Sequence, residues 1–373
     1  MSVTMRQKKP IRILIVDGKL ISGGVEAFLM NIYRHIDRSK VQFDFLVHYR
    51  ERFYYDDEIE AMGGKIYRMS FRNDHNYFKY KKDLDRFFKL HTEYKVVWGH
   101  MDGLASVYLK SAKKNGVPVT ISHSHITSSE KSLKGLVKRL LRLGIPRWSD
   151  YRFACSTEAG QYLYGKNKFS LVFNAIDTSS FKYNPEARSR IREQNDWTNN
   201  VVVGHVGRFF PQKNHDYLIE IFRNLAMNDS RYVLCLCGDG EDKKRIEEKV
   251  YEYNLQDRVL FTGNISNINE YYQAFDIFVL PSLYEGLPVS GIEAETSGLK
   301  CFFSDTISRE VGVVDNNCCF LSIKEPSEIW VNKIISNSQY DRKDMSGIVA
   351  SKGYDIYKLS KKLELFFLKL YKG

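Results

Sequence analysis

Two carboxylates eight residues apart, Glu285 and Glu293, sit in the run Pro281–Ala294, PSLYEGLPVSGIEA. An ionised carboxylate accepts two hydrogen bonds, so each can hold the hydroxyls of a vicinal diol such as ribose, or a hydroxyl of a bound sugar. Gly286 lets a ligand approach the backbone, and Leu287 and Pro288 close the turn that leads into the next helical pattern. The spacing alone carries nothing; its setting between an apolar strand pattern, a Gly-Leu-Pro turn and a helix gives it weight. A second run, Gly207–His215 (GRFFPQKNH), places Arg208 and Lys213 five residues apart, again after a strand pattern and before a helical one. The planar fork of Arg and the point charge of Lys both suit phosphate oxygens, so the pair can converge on a diphosphate at the helix mouth. Solvated loop charges are the ordinary reading of such a pair; its place at a strand end favours the anion. Gly23 and Gly24 precede a third helical pattern, where unpaired N–H groups face an anion or simply end a tight turn.

These segments need a scaffold that delivers loops from strand ends. Short β-branched runs alternate with helical-period segments through most of the chain. The first half predicts strands over 11–16, 43–47, 65–67, 96–98, 117–122 and 151–154, with helices over 25–36, 79–90, 103–115 and 133–143. The second half predicts strands over 201–206, 232–237, 258–262, 277–280 and 300–303, with helices over 215–226, 242–253, 269–275 and 290–297. Strict alternation means parallel sheets covered on both faces. Periodicity lapses at 174–185 and a fresh series opens at Val201. The expected architecture is therefore α/β, with two Rossmann-like domains: residues 1–178, residues 179–352, and a terminal helix over 353–373 crossing back to the first domain. That helix places Leu359, Leu363, Phe366, Phe367 and Leu370 on one face. In such folds ligands sit beyond the carboxyl ends of the strands, here in a cleft between the domains.

Composition narrows the function. A length of 373 residues suits two domains. The N-terminus lacks the apolar core of a signal peptide and no apolar run approaches a membrane span, so a cytoplasmic protein is expected, resting at most on the inner face of a membrane. The six cysteines form no C-x-x-C and read as buried free thiols. The net charge of +11 favours anionic partners without choosing among them. Neither a G-x-G-x-x-G fingerprint nor a P-loop is present. Asp83-Leu84-Asp85 has the look of a metal signature, but it lies in a helical pattern of alternating charge. A solvated face accounts for it, and no metal is expected.

The motifs together resemble glycosyltransferase family 4, a large retaining family of the GT-B fold. The resemblance covers nearly the whole chain: Gly23 to Glu26, Asn174-Ala175-Ile176-Asp177, Arg208 with Lys213 and Asn214, Gly238 to Glu241, Phe261-Thr262-Gly263, and the two glutamates. The run Ser282–Val311 is similar to capsular and exopolysaccharide transferases. By resemblance, Arg208 and Lys213 neutralise a leaving nucleotide diphosphate without metal or other cofactor, and Glu293 holds the ribose. Glu285, with Gly286, Leu287 and Pro288, holds the donor sugar, and Gly23 and Gly24 close over the phosphates from the other domain. His123, with His125 two residues on, matches the place of an active-site histidine on the acceptor side. The implied activity is transfer of a hexose or N-acetylhexosamine from a nucleotide sugar, UDP-linked by analogy, to a saccharide or lipid-linked acceptor. Two departures stand out: Ala175 replaces the family's usual glycine, and Glu295-Thr296-Ser297 replaces a small-residue stretch.

Residues 131–148, KSLKGLVKRLLRLGIPRW, contain no acid. Lys131, Lys134, Lys138, Arg139 and Arg142 stand against leucines at helical spacing, the pattern of a helix docking on anionic lipid or of one covering its own sheet. A sugar-nucleotide epimerase or a phosphorylase of the same fold is the nearest rival, although no cofactor-binding lysine for the latter is identifiable. A basic nucleic-acid-binding protein is the rival of another class, but the clustered bases and aromatic platforms it needs are missing.

Overall fold

The computed structural model describes residues 9–125 and 140–372. The chain divides into two compact units, one formed by the chain up to Phe173 together with the segment from Ile356 onward, the other by Asn174–Asp355.

The first unit is built on seven strands: β1 (Ile11–Val16), β2 (Val41–Val47), β3 (Ile66–Arg68), β4 (Val96–Gly99), β5 (Val119–Ser124), β6 (Tyr151–Ala154) and β7 (Ser170–Leu171). Their order is β3-β2-β1-β4-β5-β6-β7, with every neighbouring pair parallel. All seven residues of β2 are buried, as expected of a strand covered on both faces. The terminal helix Ile356–Lys372 packs on this unit. Its Phe367 is fully buried, edge-on to Phe43 with ring centroids 6.0 Å apart and 5.5 Å from the Trp98 ring. Burial of such a side chain is worth about 2–3 kcal/mol, so the helix is held by its apolar stripe.

The second unit holds β8 (Val201–Val206), β9 (Tyr232–Cys237), β10 (Val259–Gly263), β11 (Ile277–Leu280), β12 (Lys300–Ser304) and β13 (Cys318–Leu321). The order is β10-β9-β8-β11-β12-β13, again parallel. The predicted alternation of strand and helix is thus found in both units, which are Rossmann-like sheets of the GT-B class.

In each sheet the winding reverses once, between β1 and β4 in the first unit and between β8 and β11 in the second. At such a point neighbouring loops diverge to opposite faces and leave a crevice beyond the strand ends, the place where doubly wound sheets bind ligands.

Several local expectations change. β5 runs on to Ser124, because Ser124 pairs with Ala154 of β6; His123 therefore lies inside the strand, not beyond it. β13 was not predicted: its four residues are flanked by the polar Asp315-Asn316-Asn317. All six cysteines are free thiols, four of them buried. Asp83-Leu84-Asp85 is one turn of the helix Tyr77–Leu90, with Leu84 in the core and Asp85 accepting from Asn115 Nδ2 at 3.0 Å. Among the described residues no helix is long and apolar enough to cross a membrane. Of the basic segment, Lys131, Lys134, Lys138 and Arg139 lie outside the described residues. Arg142 donates to the Tyr162 carbonyl at 2.8 Å and stacks over that ring at 4.8 Å.

Candidate functional site

At the reversal of the second sheet, the loop after β8 meets the loop after β11. The first runs from Gly207 through a 3₁₀ turn, Pro211–Lys213, into the helix His215–Asn228. Asn214 joins turn to helix in the left-handed region (φ 56°), a conformation Asn accepts more readily than most residues. The two loops are sewn together: Leu283 N–H donates to the Gln212 carbonyl at 2.8 Å, Gln212 Nε2 to the Tyr284 carbonyl at 2.7 Å, and Asn214 Nδ2 to the Pro281 carbonyl at 3.1 Å.

This seam brings the predicted charges together. Lys213 Nζ lies 2.6 Å from Glu285 Oε1, and their side chains are only 17% and 12% exposed. Ser282 Oγ donates to the same carboxylate oxygen at 3.1 Å. So far from water, removing either partner of the pair costs more than at the surface, because the other charge loses its neutralising contact. Lys213 reaches this position by running over Gly207, where a β-carbon would come within 3.1 Å of its Cε.

Glu293, on the helix Val289–Thr296, completes the group. Its Oε2 accepts from the Tyr272 hydroxyl at 2.8 Å. The residue keeps some solvent contact, yet desolvation of its carboxyl raises the pKa from about 4.5 to about 7, against the pull of the Tyr272 hydroxyl and the nearby Lys213 cation. Arg208 belongs to the same loop, its guanidinium 5.5 Å from the Phe210 ring centroid. Gly286, Leu287 and Pro288 are buried, and the Leu287 carbonyl accepts from Asn174 Nδ2 at 2.8 Å. The Asn-Ala-Ile-Asp motif is thereby tied to the loop that carries Glu285. A cation paired with one carboxylate and felt by a second, with another cation on the same loop and a hydroxyl behind each acid, can hold an anion and a diol side by side.

The loop also depends on the glycines of Gly238-Asp239-Gly240. Phe209 N–H donates to the Asp239 carbonyl at 3.0 Å, and a β-carbon on Gly238 (φ 137°) would stand 2.2 Å from the Gly207 carbonyl oxygen. Strain and overlap together cost about 2–4 kcal/mol. Gly238→Ala is therefore expected to lower the unfolding midpoint in a thermal melt. An unchanged midpoint would mean that the Gly207 loop moves aside freely.

In the first unit the reversal places Asp17, directly after β1, beside His100, directly after β4: His100 N–H donates to the Val16 carbonyl at 2.9 Å. The Asp17 carboxyl is buried and its pKa is raised to about 7 by desolvation, opposed by a hydrogen bond from Gly18 N–H at 2.7 Å. His100 Nδ1 and His125 Nε2 are 2.9 Å apart, and His123 stacks on Trp98 with centroids 5.8 Å apart. Desolvation lowers the pKa of all three imidazoles, that of His125 to about 3. Both predicted histidines thus belong to a buried, neutral group with a third member.

Gly23 caps the helix Gly24–His35, and a β-carbon there would fall 2.4 Å from Glu26 Oε2, whereas Gly24 faces open space. An acid in the first turn of that helix shares the end at which an anion was expected.

Sequence reading missed Tyr272, Ser282, Asn214, His100 and Asp17. Ser282 and Asn214 stood inside quoted motifs and are distinguished only by which carbonyl or carboxylate they reach. The others come from neighbouring elements and carry no local signal.

The family described as glycosyl transferases group 1 matches residues 187–343. Over 359 residues the chain is 34% identical to the putative glycosyltransferase EpsF of Bacillus subtilis (strain 168), covering 92% of this chain and 93% of that protein. Over 128 residues, 32% of this chain and 30% of the other, it is 38% identical to the UDP-Gal:alpha-D-GlcNAc-diphosphoundecaprenol alpha-1,3-galactosyltransferase of Escherichia coli. Among solved structures, Anabaena Alr3699/HepE in complex with UDP and glucose superposes with a TM-score of 0.77 at 19% identity, over 96% of this chain and 99% of that one.

Proposed function

The chain belongs to the group 1 glycosyl transferases, and on that premise we propose that it is a retaining, family-4-type enzyme. In this reading it moves a hexose or N-acetylhexosamine from a UDP-sugar to a lipid-linked or oligosaccharide acceptor in capsular or exopolysaccharide synthesis. The observation that carries the reading is the convergence of Lys213, Glu285 and Glu293 beyond β8 and β11.

The roles follow from chemistry. Glu293 accepts the ribose hydroxyls and Tyr272 fixes one of its oxygens. Lys213 and Arg208 face the diphosphate, where negative charge grows as the sugar–phosphate bond breaks. Glu285, set by Ser282, takes a hydroxyl of the donor sugar, and the backbone from Gly286 to Pro288 closes the turn beside it. Lys213 exchanges its contact with Glu285 for the diphosphate, which frees Glu285 for the sugar. The acceptor oxygen then bonds to the anomeric carbon on the face the nucleotide leaves, and its proton passes to a phosphate oxygen. We assign the acceptor to the first unit, with His123 and His125 on its side. No metal enters these steps. UDP is supported by the donor in the name of the E. coli relative and by the ligand of the Anabaena structure, and a lipid-linked acceptor by the former. Such an acceptor places the work at the cytoplasmic face of a membrane, with the basic run around Arg142 toward anionic lipid.

Thermal stabilisation by UDP, GDP, ADP and CMP, each with and without EDTA, tests the donor class. A shift selective for UDP and indifferent to EDTA is expected. A shift that vanishes with EDTA, or none with any nucleotide, would overturn the reading.

Titration of Glu293 gives a second expectation. With a pKa near 7, its carboxyl is mostly protonated at pH 6 and mostly ionised at pH 8. The diol needs the ionised acceptor, so UDP affinity is expected to rise by up to roughly tenfold across that window. Calorimetry at a series of pH values measures this, and the slope should disappear in Glu293→Gln.

A further inference from the structure

Three imidazoles meet at the carboxyl ends of β4 and β5. One ring nitrogen from each of His100, His123 and His125 lies within 4.8 Å of the others. The three residues are 5%, 1% and 8% exposed. Among the described residues, His100 Nε2, both ring nitrogens of His123 and His125 Nδ1 have no hydrogen-bond partner. The Val172 carbonyl approaches His123 but outside hydrogen-bond geometry. Leaving a buried polar atom unpaired costs about 1–3 kcal/mol, so four in one place form an expensive arrangement unless something else satisfies them.

Packing alone is a poor explanation. The cluster is walled by Phe28, 5.2 Å from the His123 ring and 5.5 Å from His125, and by Trp98. Apolar rings in place of the imidazoles would fill that space without stranding nitrogens. Each ring also has at least one nitrogen that is not taken up by another group and can turn a lone pair to a metal. Asp17, next to His100 at the end of β1, adds a buried carboxyl whose Oδ2 is also without a partner.

We propose that His100, His123 and His125 form a three-histidine site for one divalent transition metal ion, Zn²⁺ foremost. Neutral imidazole is the preferred nitrogen ligand of zinc, and three histidines with a fourth position open make a complete protein share of a tetrahedral site. Zinc–nitrogen bonds of about 2.0–2.1 Å need ring nitrogens roughly 3.3 Å apart, which side-chain rotations bring within reach of the observed spacing. Metal binding replaces the His100–His125 hydrogen bond and pins the end of β4 to that of β5. It also occupies His123 and His125, placed above on the acceptor side, so zinc is expected to inhibit transfer. That consequence rests on the transfer reading, whereas the binding itself does not.

The test uses the full-length chain, free of any histidine tag and stripped with EDTA, titrated with Co²⁺. One equivalent is expected to develop the visible d–d bands of a four- or five-coordinate site, displaced by Zn²⁺. X-ray absorption of the cobalt-loaded protein should show imidazole scattering from three ligands. His123→Gln and His100→Gln should abolish the bands while His91→Gln retains them. Should a variant fail to fold, the absorption spectrum of the unaltered protein still decides. No stoichiometric cobalt bands in that protein, fewer than three imidazole ligands, or bands that survive in folded His123→Gln would overturn the proposal, whether or not the chain transfers sugar.

Discussion

Replacing Lys213 with alanine is expected to lower kcat for transfer by about 10²–10³-fold, the effect of deleting one preorganised charge from a forming anion. The loss should appear in kcat more than in KM, because the diphosphate gains charge only as the sugar leaves. Loss of Lys213 also acts on stability: the Glu285 carboxylate is then left nearly buried without its cation, which destabilises the fold by itself. The double variant Lys213→Ala/Glu285→Gln isolates the stability effect, since it removes the uncompensated charge, although it also removes the carboxylate assigned to the donor sugar. It should recover the thermal stability lost in the single variant and still fail to recover kcat. Full recovery of both would reduce Lys213 to a partner of Glu285. Lys213→Arg should rescue poorly, since a planar fork does not reproduce the compact point charge that Lys213 delivers over Gly207.

Glu293→Ala is expected to weaken UDP binding by roughly 10–10²-fold, the worth of charged hydrogen bonds to a diol. The signature is discrimination. The unaltered protein should prefer UDP over 2′,3′-dideoxy-UDP, and the variant should bind both alike. A variant that keeps the preference would place the ribose elsewhere. Tyr272→Phe, which removes only the hydroxyl donated to Oε2, should produce a smaller loss of the same kind.

The site residues legible in the sequence share one property: each lies within a contiguous run whose neighbours fix its setting. Glu285 and Glu293 are held by a strand, a Gly-Leu-Pro turn and a helix in unbroken succession, and Arg208 and Lys213 by a strand, a turn and a helix. What escaped was supplied across the sheet. His100 is 23 positions from His123, and they meet because Gly99 of β4 pairs with Ser122 of β5. Tyr272 reaches Glu293 from another helix, and the hydroxyl that does so is indistinguishable in sequence from the other tyrosines. The two Rossmann-like sheets were legible because buried parallel strands repeat as apolar runs. The helix Pro185–Gln194 was not, although Asn184 caps it and Pro185 opens it. It buries only Ala187, Ile191 and Arg192, too little apolar pattern to register. The end of β5 is predicted two residues early because His123 and Ser124 look like a loop. Both are buried inside the sheet, where parallel pairing with β6 outweighs their polarity.

The central claim is transfer from a nucleotide sugar, driven by the second unit's cations without metal. Its most direct measurement follows a radiolabelled sugar from UDP-glucose, UDP-galactose and their N-acetyl forms, with EDTA-treated protein and polyprenyl-diphosphate-sugar acceptor in vesicles. The account predicts that label from one donor passes into the lipid extract in step with free UDP, and that Lys213→Ala abolishes both. Conversion of the donor into another UDP-sugar without acceptor, or transfer restored only by added divalent metal, would contradict it.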